Sequence, residues 1–407
     1  MTPAALRRLP IMQTYGALFR TPEFAPLFAV ACAGASASTI GGLALATVVF
    51  AGTGSPLLSA LSMFGPAGAQ LLGATLLLSV ADRVPPRGAL AAVATLAGLC
   101  LAVLAIPGLP LPAVFGVLVL MGLIASVGGG VRLGLLTEVL PPDGYLLGRS
   151  VLNMAAGSVQ ILGFAAGGVL LALIPAQGVL LLAAVCQLTG AVIALAGLRA
   201  RPPRASGRPS VAATWRVNAQ LWSSVPRRYV FVALCVPNGL IVGCEALFVP
   251  YAPERAGLLL AAAALGMLAG DVLAGRFLPV AWRERAGAVL RLLLAVPYLL
   301  FAAGIPLWLA VALTAAASVG YSGTLVLQER LIALTPDALR GQALGLHASL
   351  MMGMQAVGAG IGGLAAELTG SAAAGISVMA ALSIAVTVLV AAGLRTPLPR
   401  VPEVRVA

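Results

Sequence analysis

Twelve long apolar runs limit what this chain can fold into. Each run is close to the roughly 20 residues that a helix needs to cross a hydrocarbon core of about 30 Å. Only 9% of the residues are charged, whereas a soluble domain averages about 25%. We therefore expect a membrane-embedded chain. The runs lie at about 24–50, 55–80, 88–106, 112–140, 145–174, 178–198, 229–250, 257–279, 286–304, 306–334, 341–368 and 372–394.

The length of these runs also selects the type of secondary structure. Backbone groups in lipid must be hydrogen-bonded within the protein, so only helices or a closed barrel can span the membrane. Barrel strands alternate over about 10 residues, but these runs are longer and apolar throughout. The sequence predicts an all-α integral membrane protein with twelve transmembrane helices.

A basic stretch from Arg199 to Arg228 divides the runs into two groups of six. It contains seven arginines and no acidic residue, and proline, glycine and serine interrupt it. It is therefore predicted to be a linker and not a span. The expected organisation is a six-helix half over 1–198, a linker over 199–228, and a second six-helix half with a short tail over 229–407.

The arginines predict the orientation of the chain. Twelve spans place the linker and both termini on one side, together with twenty of the 24 basic residues. Arg255 is the basic residue of the opposite loops. By the positive-inside rule, the termini are expected to be cytoplasmic, and a plasma-membrane location is expected. This orientation also explains the net charge of +12 without nucleic-acid binding.

The two groups of runs share residues at a nearly constant separation. Small, polar and charged residues recur 193 to 195 positions apart. They predict duplicated halves, related by an axis along the membrane normal. The matches are Gln160, Gly163, Gly167 and Gly168 with Gln355, Gly358, Gly362 and Gly363; Pro142-Asp143 with Pro336-Asp337; and Gly73 and Arg83 with Gly266 and Arg276.

The loop after the second run resembles that of the major facilitator superfamily of secondary transporters. That family's loop reads Gly-x-x-x-Asp-Arg-x-Gly-Arg-Arg, and residues 78–87 here read LSVADRVPPR. Asp82, Arg83 and Arg87 match the pattern, whereas Pro85 and Pro86 do not. The resemblance covers almost the whole chain. It implies a twelve-helix fold, a transport role, and a gating function for Asp82, Arg83, Arg87 and Arg276.

The fifth run carries a second partial match. The family's drug antiporters have Gly-Pro-x-x-Gly-Gly on this span, and here Phe164 replaces the proline. The resemblance suggests a drug or metabolite exporter. Small residues let helices approach closely, either as static packing or as a contact that slides while the halves exchange access. The packing glycines are Gly163, Gly167, Gly168, Gly358, Gly362 and Gly363.

Charged and amide side chains within the runs are candidates for a substrate or proton pathway. An intramembrane charge costs about 2.5–3.5 kcal/mol on insertion scales. Glu245 and Asp271 are the candidate proton carriers, and Arg132 resembles an arginine that family members carry on the fourth span. Structural ion pairs, or hydrogen bonds to neighbouring helices, are the alternative roles. The proposed pathway residues are Glu245, Asp271, Arg132, Asn153, Gln160, Asn238 and Gln355.

Several chemistries are not supported by this sequence. It has no lysine for a P-loop or a Schiff base, no GxSxG motif, and His347 is its one histidine. The five cysteines lie in apolar runs without CxxC spacing, which favours packing over disulfides or metal binding. We expect neither enzymatic activity, nor a cofactor, nor a metal site.

These features predict a secondary active transporter of a small organic molecule. Proton-coupled efflux by a monomer, with the lipid bilayer, substrate and protons as partners, is the first hypothesis. An importer or facilitator on the same fold is the alternative, and a membrane enzyme or non-transporting scaffold is the third hypothesis. The sparse charge favours neutral, weakly cationic or amphipathic substrates over highly charged ones.

Overall fold

The computed structural model describes residues 15–76, 84–203, 211–277, 280–336 and 339–395, which are nearly all helical. Eleven of their helices are long and apolar enough to cross a membrane, and a shorter apolar segment covers Gly287–Ala303. The predicted all-α membrane fold is confirmed. The spans, numbered 1 to 12, are Phe24–Thr53, Pro56–Leu76, Pro86–Leu104, Leu111–Val139, Pro142–Leu173, Ala176–Gly197, Val225–Glu245 with Phe248–Tyr251, Ala256–Phe277, Val280–Leu293 with Val296–Ala303, Leu307–Val319 with Gly320–Ser322 and Gly323–Ala333, Arg340–Thr369, and Ala372–Ala391.

Three spans of the second half are interrupted, although the sequence predicted continuous runs. Span 9 stops at Leu293 and resumes as a 3-10 helix. Pro297 explains this break, because a proline ring clashes with the carbonyl four residues earlier. In span 7, Pro250 lies four residues after Ala246, and its ring would clash with the Ala246 carbonyl in a continuous helix. The long helix of span 7 ends at Glu245, directly before Ala246. Span 10 passes through a 3-10 turn at Gly320–Ser322.

The helix contacts repeat between the halves. Span 1 packs on spans 5 and 6, span 2 on span 4, and span 3 on spans 4 and 6; spans 7 to 12 make the corresponding contacts. Gly73 packs against Ser126 of span 4, and its counterpart Gly266 packs against Ser318 of span 10. The predicted twofold repeat is therefore present in the packing.

The two halves meet through spans 2 and 11 and through spans 5 and 8. At the end away from the linker, the Ser55 hydroxyl donates a hydrogen bond to the Glu367 carboxylate. Near the middle of the membrane, a Cβ added at Gly353 would lie 2.6 Å from a methyl group of Leu71. These contacts join the halves near the middle of the membrane and at the side opposite the linker. We call the other side the linker side.

The start of the linker is held against the first half by an ion-pair cluster that the sequence did not predict. Arg201 donates to both carboxylate oxygens of Glu23, at 2.6 and 2.8 Å, and the Arg199 backbone N–H donates at 2.9 Å. Arg201 also lies 3.5 Å from Glu138. Burial raises the pKa of the Glu23 carboxyl, but the hydrogen bonds from Arg201 and Arg199 outweigh this effect and hold the pKa below its ordinary value.

The end of the linker contacts the second half. A helix at Val211–Ser223 precedes span 7. The Trp222 ring stacks on Phe231 of span 7 with the ring centres 5.6 Å apart, and Arg227 donates to the Gln220 carbonyl at 3.0 Å. The predicted linker thus contains a helix and is attached at both ends.

Candidate functional site

A cavity of about 610 Å³ lies mainly within the first half. Helices of all six first-half spans line it, and Gln355 of span 11 reaches it from the second half. The structure brings four of the predicted pathway residues together there. They are Arg132, Asn153, Gln160 and Gln355.

Sequence reasoning missed several polar residues of the cavity. Arg149 is one of the twenty arginines that the sequence places on the side of the linker. It lies in the second turn of span 5 and lines the cavity. Gln70 and Gln187 are single amide side chains within apolar runs, and they are not among the pathway residues predicted from the sequence. An unpaired amide in an apolar run was the available signal, because a buried polar group needs a partner or a wet surface.

Both cavity arginines lack an internal partner. Within the described residues, neither Arg132 nor Arg149 forms an ion pair or hydrogen bond. Arg132 is half-buried, and Arg149 is exposed. Among the described residues, the cavity lining contains these two arginines and no aspartate or glutamate. Its side chains therefore give the cavity a net positive charge.

Glu245 lies outside this cavity. It ends the long helix of span 7 in the second half, and 7% of its surface is exposed. Its Oε1 atom has no hydrogen-bond partner among the described residues. The structure therefore places the predicted proton carrier inside the second half and apart from Arg132.

Three hydroxyl side chains share the interior of the second half with Glu245. Tyr298, Thr314 and Ser318 are fully buried. Thr314 and Ser318 lie near the Tyr298 hydroxyl, and Tyr298 packs in the same buried cluster as Cys244, the residue before Glu245. None of these hydroxyls makes a hydrogen bond of standard geometry among the described residues. We call these four residues the carboxyl–hydroxyl cluster.

The other two second-half candidates lie near this cluster or bond locally. Asp271 on span 8 is half-buried and has an unpartnered carboxylate oxygen. Both Asp271 and Glu245 lie in the neighbourhood of the half-buried Tyr321, so the two acids border one region. Asn238 donates to the Leu234 carbonyl at 2.6 Å, a bond within its own helix. Neither Asp271 nor Asn238 lines the cavity.

The six predicted glycines make two kinds of close contact. Gly163 and Gly167 of span 5 face span 1, where a Cβ at Gly163 would lie 3.0 Å from Thr39. Their counterparts Gly358 and Gly362 of span 11 face the backbone of span 7. These four glycines therefore serve packing within each half.

The third glycine of each group touches the opposite half. A Cβ at Gly168 would lie 3.1 Å from the Gly257 Cα of span 8. A Cβ at Gly363 would lie 2.5 Å from the Leu57 Cα of span 2. Both contacts belong to the side opposite the linker. A larger residue at Gly168 or Gly363 would hold the halves apart there.

Part of the predicted gating motif is described. Arg87 is half-buried in the first turn of span 3, and Arg276 is exposed in the last turn of span 8. The Arg276 guanidinium lies 5.9 Å from the ring centre of Phe277. Asp82 and Arg83 lie outside the described residues. The gating role stays a prediction.

His347 lies inside the second half. It is 8% exposed. Its Nδ1 is 3.5 Å from the Cys235 Sγ, and its Nε2 is 3.3 Å from the Gln328 side chain. These contacts fit a packed, hydrogen-bonded histidine on span 11.

Comparison with known proteins establishes the fold. No model of a known protein family matches the sequence, and no curated protein matches it. Solved structures of transporters do match. The nucleoside transporter NupG aligns with a TM-score of 0.73 and 12% identity, over 92% of this chain and 100% of NupG.

Two further transporters align similarly. A bacterial homologue of the human lysosomal transporter Spinster, inward-facing and unoccupied, gives a TM-score of 0.69 at 13% identity, over 92% and 96% of the two chains. The peptide transporter POT, in complex with sulfate, aligns with a TM-score of 0.70 and 15% identity, over 91% of this chain and 94% of POT. The protein therefore has the fold of major facilitator superfamily transporters and is a multi-pass membrane protein.

Proposed function

We propose that this protein is a secondary transporter that moves a small organic molecule by alternating access. The observation that carries this proposal is the polar cavity beside the interface between the two halves. Its volume of about 610 Å³ falls in the range of about 300–1,000 Å³ for small-molecule sites. Gln355 contributes to it from the second half, so movement between the halves would change the site.

The glycines that cross between the halves support the alternating step. For the opposite side to open, the contacts of Gly168 with Gly257 and of Gly363 with Leu57 must separate. Contacts made by small residues have no interlocking side chains to withdraw. We propose that these pairs form the outer gate, and that Asp82, Arg83, Arg87 and Arg276 form the gate on the linker side.

We propose that protons drive the transport and that Glu245 carries them. A buried carboxyl without a charged partner favours its neutral form, and the buried region around Glu245 also contains the hydroxyls of Tyr298, Thr314 and Ser318. Asp271 is the alternative carrier. Since a charge that crosses 100 mV gains about 2.3 kcal/mol, a proton gradient can supply the work.

Efflux is the proposed direction, with cytoplasmic termini and a plasma-membrane location. Everted vesicles energised by respiration would be incubated with a panel of compounds in the external medium, with and without a proton uncoupler. We expect uptake that the uncoupler abolishes. Uptake that persists with uncoupler would indicate a facilitator, and accumulation only in right-side-out vesicles would indicate an importer. No movement of any compound in either orientation would contradict transport.

The orientation is tested separately. Gly52 and Ala200 are exposed at opposite ends of the first half, and a Cβ at Gly52 meets no atom within 4 Å. Cysteine introduced at each position, in a variant without the native cysteines, is labelled with an impermeant maleimide. Ala200→Cys should react only from the cytoplasm and Gly52→Cys only from outside. Reaction of both from one side would contradict the topology.

A further inference from the structure

The charge of the cavity indicates which substrates fit it. Arg132 on span 4 and Arg149 on span 5 line one cavity, and none of the described residues that line it is acidic. Neither guanidinium is neutralised by a described residue. An amine brought into this cavity would meet two like charges and no counter-ion.

The wall of the cavity has the groups that an anion requires. Arginine binds a carboxylate or a phosphate through two parallel hydrogen bonds. Spans 4 and 5 are neighbours in the fold, since Leu135 and Leu136 cluster with Leu152. Two arginines on adjacent helices can therefore act on one ligand. Of the neutral, weakly cationic and amphipathic substrates that the sequence favours, this lining best fits an amphipathic molecule with an anionic group.

The remaining lining describes the rest of the ligand. Alanine, glycine, leucine and valine side chains predominate, which suits an apolar body. The amides Gln70, Gln160, Gln187 and Gln355 can donate and accept hydrogen bonds with neutral polar groups. The volume suits a molecule of drug or metabolite size.

We infer that the transported substrate is an organic anion, with a carboxylate or phosphate group held by Arg132 and Arg149 and an apolar body against the cavity wall. This inference rests on the proposed transport function. It agrees with efflux, because a negative cell interior favours the exit of an anion by about 2.3 kcal/mol per charge and 100 mV.

Matched compounds test the charge preference directly. For phenylpropyl, cyclohexylpropyl and hexyl bodies, the carboxylate, phosphate monoester, primary amide and primary amine are compared on purified full-length protein by thermal shift. We expect stabilisation by the carboxylate or the phosphate of at least one body, and none by its amide or amine. The carboxylate and phosphate arms distinguish the two anionic groups.

Variants locate the effect in the cavity. Arg132→Gln and Arg149→Gln should each weaken anion binding about tenfold or more, because a hydrogen bond to a charged group contributes about 1.5–3 kcal/mol. Arg132→Lys keeps the charge and should retain part of the affinity. Arg216→Gln is the matched control, since Arg216 is exposed on the linker helix and should leave binding unchanged.

The outcomes separate this inference from the proposed function. Equal or stronger stabilisation by the amines or amides, or no stabilisation by any anion, overturns the inference. Anion binding that both glutamine variants leave intact also overturns it, because the site then lies elsewhere. Uncoupler-sensitive transport of a cation would overturn the anion inference and leave the transporter proposal standing. Anion binding without transport of any compound would contradict the transporter proposal and would leave only the anion-binding role of Arg132 and Arg149 standing.

Discussion

Spans 1 to 6 surround a cavity lined by arginines and amides, whereas spans 7 to 12 enclose the carboxyl–hydroxyl cluster of Glu245, Tyr298, Thr314 and Ser318. The two halves nevertheless repeat the same helix contacts. The glycines that set those contacts match at a separation of 195 residues. Backbone packing has thus been kept after duplication, while the polar side chains have diverged.

The two halves also differ in the continuity of their helices. The described spans of the first half are continuous helices, and spans 7, 9 and 10 of the second half are interrupted. The interruption of span 9 lies at Leu294 and Ala295, directly before Val296 and the 3-10 helix that carries Tyr298. In lipid, such breaks are tolerated where protein surrounds them. The comparison suggests that substrate binding belongs to the first half and coupling to the second.

The largest expected effect separates these two roles. Glu245→Gln should abolish uncoupler-sensitive accumulation while leaving ligand binding intact, because the amide resembles a permanently protonated carboxyl. Accumulation and thermal shift are measured on the same variant. Glu254→Gln, in an exposed loop, is the matched control. If Glu245→Gln and Asp271→Asn together still accumulate substrate with normal pH dependence, neither acid couples transport.

Equivalent glycines should differ in their tolerance of a methyl group. A Cβ at Gly358 would collide with the Gly239 carbonyl oxygen, whereas a Cβ at Gly163 would meet a Thr39 side chain at 3.0 Å. Gly358→Ala should therefore destabilise the protein by about 3 kcal/mol and Gly163→Ala by about 1 kcal/mol. Thermal unfolding in detergent measures both. Equal effects would contradict the difference in packing.

The ion-pair cluster at Glu23 is expected to stabilise the linker-side end of the first half. Glu23→Gln should lower the free energy of unfolding of the protein by about 2 kcal/mol, because the charged hydrogen bonds donated by Arg201 are lost. Because the folded pKa of Glu23 is lowered, this contribution is present above the ordinary pKa of about 4.3 and is lost as pH falls through the folded pKa. Glu138→Gln, at a 3.5 Å contact, should have a smaller effect. An unchanged unfolding temperature for Glu23→Gln at pH 7 would contradict the prediction.

The smallest effect is expected at the proposed linker-side gate. Asp82→Asn should slow turnover severalfold without changing ligand binding or membrane insertion, because a loop charge pair of the kind predicted from the sequence contributes about 0–1 kcal/mol. Single-turnover and steady-state transport are compared with binding. Normal turnover would assign Asp82 to a helix-ending role.

The sequence by itself determined the membrane fold, the number of spans and the two halves. Run length and uniform apolarity are local properties, and lipid leaves an apolar run of about 20 residues one stable backbone structure. The proline at 297 also contained the signal for the break in span 9. The glycine pattern at 160–168 and 355–363 correctly indicated close packing, since only small residues permit it.

Tertiary structure alone decided which polar residues meet. Arg149 joins Arg132 at the cavity, Glu245 lies in the same buried region as Tyr298, and Arg201 reaches Glu23 across a separation of 178 residues. Helical periodicity tells which residues share a face, but not which neighbouring helix that face meets or whether a void lies between them. Those outcomes depend on how twelve helices pack at once, and contacts between distant residues leave no local pattern in the sequence.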